Sequence, residues 1–149
     1  MNYLGRADFK HTETPRAAVV LVNLGTPDAP DTPSVRRYLA EFLADPRIIE
    51  MPRWLWRIIL HGVILRIRPR RSALAYQRIW TEAGSPLLVH STRLGERVGA
   101  QLHGVAPGAV LVRVAMRYGK PALAAVLREL HAANVRRVIV LPLYPQYSG

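Results

Sequence analysis

The chain of 149 residues contains no cysteine. That excludes disulfides, thiolate zinc sites, cysteine-ligated iron–sulfur clusters and a cysteine nucleophile. Lysine is nearly absent: Lys10 and Lys120 are the only ones, so the 21 basic side chains are almost all arginine. Acids are few as well, 10 against those 21, which leaves a formal charge of +11. None of them falls between Met51 and Thr81. No apolar run reaches the ~18 residues of a membrane span. The first fifteen residues are polar and mixed in charge, without the apolar core of a signal peptide. Half of the sequence is hydrophobic, enough for a packed core and against wholesale disorder. The length suits one domain, and a soluble cytoplasmic protein is the expectation. Residues 1–15 read as a loose tail.

Three short apolar runs stand out. Ala17–Leu24 (AAVVLVNL), Ala109–Met116 (AVLVRVAM) and Arg136–Leu143 (RRVIVLPL) have the length and valine content of strands. A run without alternation is the mark of a strand covered on both faces, as in a parallel sheet. Helical patterns separate the runs. Thr32-Pro33 reads as an N-cap followed by a first-turn proline. Val35, Tyr38, Leu39, Phe42 and Leu43 then follow at helical spacing. Trp54–Ile67 reads as a helix that Gly62 weakens and Pro69 ends, with a second helix from Arg71 to about Trp80. Gly84-Ser85-Pro86 is a further start signal, for a helix to about Leu102. Pro121 opens one carrying Leu123, Val126, Leu127 and Leu130 on one face. Strands that alternate with helices predict βαβ units and an α/β fold built on a parallel sheet.

In an open parallel sheet all the carboxyl ends lie on one edge, and ligands bind there. The three runs end in NLGTP, MRYGKP and LYPQYSG. Asn23, Arg117, Tyr118, Tyr144, Gln146 and Tyr147 should therefore share one rim. Tyrosine and proline offer flat apolar surface with a polar tip, and arginine offers a two-pronged donor for a carboxylate. A planar aromatic acid suits such a rim. A nucleotide suits it less, because no G-x-G-x-x-G and no Walker lysine is present.

Other chemistry is sparse. No two of His11, His61, His90, His103 and His131 have metal-ligand spacing, and the acids form no pair suited to acid–base work. Ser85 lies in Gly-Ser-Pro, which is a helix cap rather than a nucleophile elbow. The acid-free stretch carries Arg53, Arg57, Arg66, Arg68, Arg70, Arg71 and Arg78, interleaved at its start with Trp54, Trp56, Ile58, Ile59, Leu60 and Leu65. That pattern fits an interfacial helix on anionic lipid. It equally fits a buried helix whose arginines snorkel. Nucleic acid is a weaker option, since charge alone does not identify it and no recognition motif is present.

Four blocks in order carry a family resemblance. Val22-Asn23-Leu24-Gly25-Thr26-Pro27 is the first. Tyr76-Gln77-Arg78-Ile79-Trp80 with Gly84-Ser85-Pro86-Leu87 is the second, and Met116-Arg117-Tyr118-Gly119 the third. Leu141-Pro142-Leu143-Tyr144-Pro145-Gln146-Tyr147-Ser148 is the fourth and most specific. Together they resemble the ferrochelatase family in its proteobacterial form, over about residues 17–148.

The resemblance implies the first of two Rossmann-like (chelatase-like) halves, residues 16–149, with the second half absent from this sequence. It implies insertion of ferrous iron into protoporphyrin IX, the last step of protoheme synthesis, with iron as substrate and no tightly bound cofactor. By position, Leu24 packs on the macrocycle face, and Arg68, Tyr76 and Ser85 lie at the porphyrin site with arginine pairing to a propionate. Arg117 and Tyr118 line the inner cleft, and Tyr144, Pro145, Gln146, Tyr147 and Ser148 form a loop beside it. Residues 54–67 belong to the hydrophobic lip at the pocket mouth, a place for peripheral membrane contact. The family's catalytic histidine and acid belong to motifs of the second half. No catalytic residue and no metal ligand is therefore expected in this chain, which is expected to be inactive alone.

Overall fold

The computed structural model describes residues 16–144. Its elements alternate as the apolar runs predict: β1 (Arg16–Thr26), α1 (Thr32–Ala44), α2 (Arg53–Ile59), a π-helical turn (Leu60–Ile64), α3 (Leu65–Ile79), α4 (Pro86–Val105), β2 (Val110–Gly119), α5 (Leu123–Ala132) and β3 (Val135–Pro142). The strands form a parallel sheet in the order β2-β1-β3. β1 is therefore central, and it is the strand whose Ala18, Val20, Leu21 and Val22 are buried almost completely. The α/β fold with a parallel sheet flanked by helices is as the sequence predicts.

Helices cover both faces. On one face α5 sets Val126 and Leu130 against Ala18, Val20, Val22 and Ala115. On the other face lies α4, and it lies close. A Cβ on Gly95 would come within 2.7 Å of the Val114 side chain, so this position admits the helix only without a side chain. A second cluster joins α1 to the α2–α3 segment through Val35, Leu39, Leu43, Leu60, Leu65 and Ala73.

Pro121 stands two residues before α5, whose N-cap is Ala122, and two further boundaries differ from the sequence reading. The cap of α1 is Asp31, not Thr32: the Asp31 carboxylate accepts from the Ser34 amide at 2.7 Å. Asp and Thr both cap well, so adjacent candidates left the choice to the backbone. The second difference is Pro69, which sits inside α3 rather than ending a helix. A proline needs room at the carbonyl four residues back, here that of Leu65. Leu65 is where the wide turn hands over to α3. Its amide bonds back to the Leu60 carbonyl and its ψ is −7°, against about −42° in a regular helix. The local turn thus absorbs the proline, and Gly62 lies within it.

Candidate functional site at the strand ends

Parallel pairing brings Gly25 beside Tyr118 and Thr26 beside Gly119. Gly25 has φ 119°, and a Cβ there would overlap the Tyr118 carbonyl oxygen. Only glycine lets the two strand ends close together in this way. The Tyr38 hydroxyl, reaching from α1, donates to the Gly25 carbonyl at 3.1 Å. Burial pushes the Tyr38 phenol up, with Tyr76, Tyr118 and Glu41 acting in the same direction. Tyr38, which the sequence reading placed only on the apolar face of α1, thus reaches the end of β1.

Arg117 and Tyr118 come together on one carboxylate. Arg117 Nη2 and the Tyr118 hydroxyl both donate to Asp45 Oδ2, at 2.7 Å and 2.9 Å. The Arg117 guanidinium carbon stands 5.3 Å from the Tyr118 ring centre, and Phe42 meets that ring edge-on at 5.1 Å. Asp45 is the residue sequence reasoning missed. The signal was present: an acid just after a helix opposes the helix dipole, so its place there asks for another partner.

Ser85 holds the N-cap position of α4 but makes no side-chain cap bond. Its hydroxyl instead accepts from the Thr26 hydroxyl at 2.8 Å, with both residues buried. Its job in the fold is to tie the end of β1 to the start of α4. Nearby, Asn23 Nδ2 donates to Ser91 Oγ at 3.1 Å. Asn23, Leu87, His90, Ser91, Leu94 and Leu143 line a cavity of about 510 Å³. This cavity opens where the chain order reverses between β1 and β3, the usual crevice for a ligand in such sheets.

The remaining predicted residues are spread around this rim. Leu24 is half-buried. Tyr144 packs against the cluster on the α5 face. Tyr76 is half-buried against the α1–α3 cluster, edge-on to Trp80 at 6.2 Å, and burial raises its phenol. Arg68 stands apart on the exposed side of α3. Pro145, Gln146, Tyr147 and Ser148 lie outside the described residues.

The arginine-rich segment divides between its two readings. Leu60 and Leu65 are buried, while Trp54, Ile58, Val63 and Ile67 are 69, 63, 52 and 70% exposed. α2 itself has no buried residue, so the reading of a buried helix with snorkelling arginines holds only for the part around Leu60 and Leu65. Trp56 is the exception in orientation, donating its indole N–H to the Leu43 carbonyl at 2.7 Å. Arg53 and Arg57 with Trp54, Trp56, Ile49 and Met51 border a cavity of about 590 Å³ beside this segment. Among the described residues, no three of His, Cys, Asp and Glu gather so as to hold a metal ion. No helix there is long and apolar enough to cross a membrane.

The class these features define is an open parallel α/β domain whose strand ends share one rim. The sequence blocks at that rim assign it further: the Ferrochelatase family model matches residues 16–149, and the chain belongs to that family. It is 52% identical over its whole length to Ferrochelatase of Alcanivorax borkumensis, covering 44% of that protein. It is likewise 52% identical to Ferrochelatase of Marinobacter nauticus, covering 40% of it. Over 93% of this chain it is 51% identical to Ferrochelatase 2 of Shewanella oneidensis, covering 42% of that protein. The chain thus spans about two-fifths of the length of these relatives.

Proposed function

We propose that this chain supplies part of the porphyrin-binding cleft of a ferrochelatase, a metal chelatase of the lyase class that inserts ferrous iron into protoporphyrin IX to make protoheme. The observation that carries the reading is the strand-end rim. Leu24, Arg117 and Tyr118 lie in the last residues of the parallel strands β1 and β2, and Tyr144 lies just after β3, in a chain of this family. A flat macrocycle matches the half-buried surface of Leu24 and Tyr144, with Tyr118 buried beneath the rim. Arg68, exposed and without an acidic partner among the described residues, supplies the charge for a propionate. The rim is held by buried hydrogen bonds, Thr26 to Ser85 and Tyr38 to Gly25, against which a bound ring can be bent. Bending exposes the pyrrole nitrogens to the metal and uses binding energy to strain the substrate. In this reading the chain binds porphyrin, while proton removal and iron delivery need groups other than those named here.

The test is an anaerobic mixture of the chain, protoporphyrin IX and ferrous iron, followed by absorption and fluorescence. The expected result is a saturable change in porphyrin emission with no metalloporphyrin bands. Absence of binding defeats the cleft reading, and metal insertion defeats the claim that this chain does not act alone.

A second reading has its own observation. The exposed Trp54, Ile58 and Ile67 alternate with Arg53, Arg57, Arg66 and Arg68, the composition of an interfacial surface. Residues 54–67 then contact the membrane peripherally beside the cleft. Sedimentation with vesicles containing anionic lipid should retain the chain and Trp54→Glu should release it; equal recovery without lipid removes this reading.

A further inference from the structure

We propose that Asp45 is a positioning residue: its carboxylate sets Arg117 and Tyr118 at the strand-end rim and anchors the arm that leads to α2. The proposal rests on the porphyrin-cleft reading. Asp45 follows directly on α1 as its C-cap, and its side chain is only 10% exposed. Its two oxygens serve different parts of the molecule. Oδ1 accepts from the Arg47 amide at 2.9 Å, which fixes the first turn of the arm. Oδ2 accepts from Arg117 and Tyr118, near the end of β2, with the Arg47 guanidinium 3.9 Å away. The helix gains nothing from an acid at this end, where the dipole disfavours it. The carboxylate is held there by the arm and the rim, and the three donors hold it ionised, below the usual range.

A consequence concerns charge. The Arg117 guanidinium is already met by Asp45 at 2.7 Å. Arg117 and Tyr118 therefore present a fixed polar edge, not a free cation awaiting a propionate. A porphyrin packed on that edge depends on where Tyr118 stands, and Tyr118 stands where Asp45 and Phe42 hold it. The same carboxylate links the rim to the arm carrying Trp54 and Trp56, so the rim and the exposed apolar segment are set by one joint.

The test combines porphyrin binding with a readout that needs no ligand. Protoporphyrin IX is titrated into the chain and into Asp45→Asn, Tyr118→Phe and the double variant. Asp45→Asn should weaken binding about tenfold, the scale of hydrogen bonds to a charged group. In the Tyr118→Phe background the same change should cost clearly less, because the two side chains act as one unit. A role confined to the Arg47 turn would give additive effects instead, and additivity overturns the proposal. The Tyr118 phenol is raised by burial and then by its bond to Asp45 and the charge of Asp45. Its ultraviolet titration, assigned by Tyr118→Phe, should move to lower pH in Asp45→Asn. If the unchanged chain binds no porphyrin, the cleft reading fails, and this titration alone decides the position of Tyr118. An unmoved titration overturns the proposal. Should Asp45→Asn fail to fold, Tyr118→Phe carries the test: faster amide exchange over residues 46–52 is expected, and unchanged exchange overturns it.

Discussion

The Thr26 hydroxyl donates to the Ser85 hydroxyl at 2.8 Å, across 59 positions of sequence, with both side chains buried. This bond closes the end of β1 onto the start of α4. Thr26→Val keeps the shape and leaves Ser85 without its donor. A buried hydroxyl left unpaired costs about 1–3 kcal/mol. Urea unfolding should show a loss in that range, and a variant as stable as the parent would contradict the role given to the pair.

Gly25 is the second point where the strand ends depend on one residue. Gly25→Ala puts a Cβ against the Tyr118 carbonyl at φ 119°. The strain of that backbone region and the overlap act together, for an expected loss of about 2 kcal/mol or more. Because the overlap falls on the rim, porphyrin binding should drop with stability. Thermal melts and porphyrin titrations of the same preparation check both.

The acid limb of stability should carry the mark of Asp45. Its carboxyl is held low, first by the Arg47 amide and then by Tyr118 and Arg117. A depressed carboxyl stabilises the fold above the ordinary aspartate range, about pH 3.9. That contribution fades as pH falls through the lower folded-state value. Asp45→Asn should therefore be less stable than the parent near neutrality and approach it as the pH drops below 4. Melting temperatures across pH 2–7 test this, and a constant gap would contradict it.

Arg68 should affect binding and little else. It is exposed on α3 and carries no acidic partner among the described residues. Arg68→Ala should change stability by less than about 0.5 kcal/mol. It should weaken protoporphyrin IX binding several-fold, and less so as salt rises. The dimethyl ester, lacking free propionates, should bind both forms alike; an equal loss for the ester would assign Arg68 to packing instead.

β3 predicts a solution property. It is an edge of the sheet, and Ile139, Val140 and Leu141 are 63, 48 and 49% exposed. An open apolar edge invites self-association. Light scattering should show oligomers at high concentration, reduced by Ile139→Lys. A monodisperse monomer without the substitution would contradict this.

The strands and most helices were legible because burial on both faces leaves unbroken apolar runs, and those at Ala17–Leu24, Ala109–Met116 and Arg136–Leu143 each fall within a strand or one residue beyond its edge. Pro69 was not legible, since the turn that accommodates it depends on the ψ of Leu65. The rim was legible through topology: once the strands were parallel, Arg117 and Tyr118 had to reach one edge together. Asp45 was not, because its partners lie 72 and 73 residues away. Ser85 was read as a cap from its local sequence, while its hydroxyl went to a tertiary partner that no local pattern encodes.

The central claim is that porphyrin meets this chain at the strand-end rim. Amide chemical shifts of the labelled chain, recorded during titration with protoporphyrin IX, test it most directly, because the ring current of the macrocycle marks the residues beneath it. The account predicts the largest shifts at Asn23–Thr26, Arg117–Gly119 and Leu143–Tyr144, with a smaller set around Arg68. Shifts confined to residues 53–67, or none at saturating porphyrin, would contradict it.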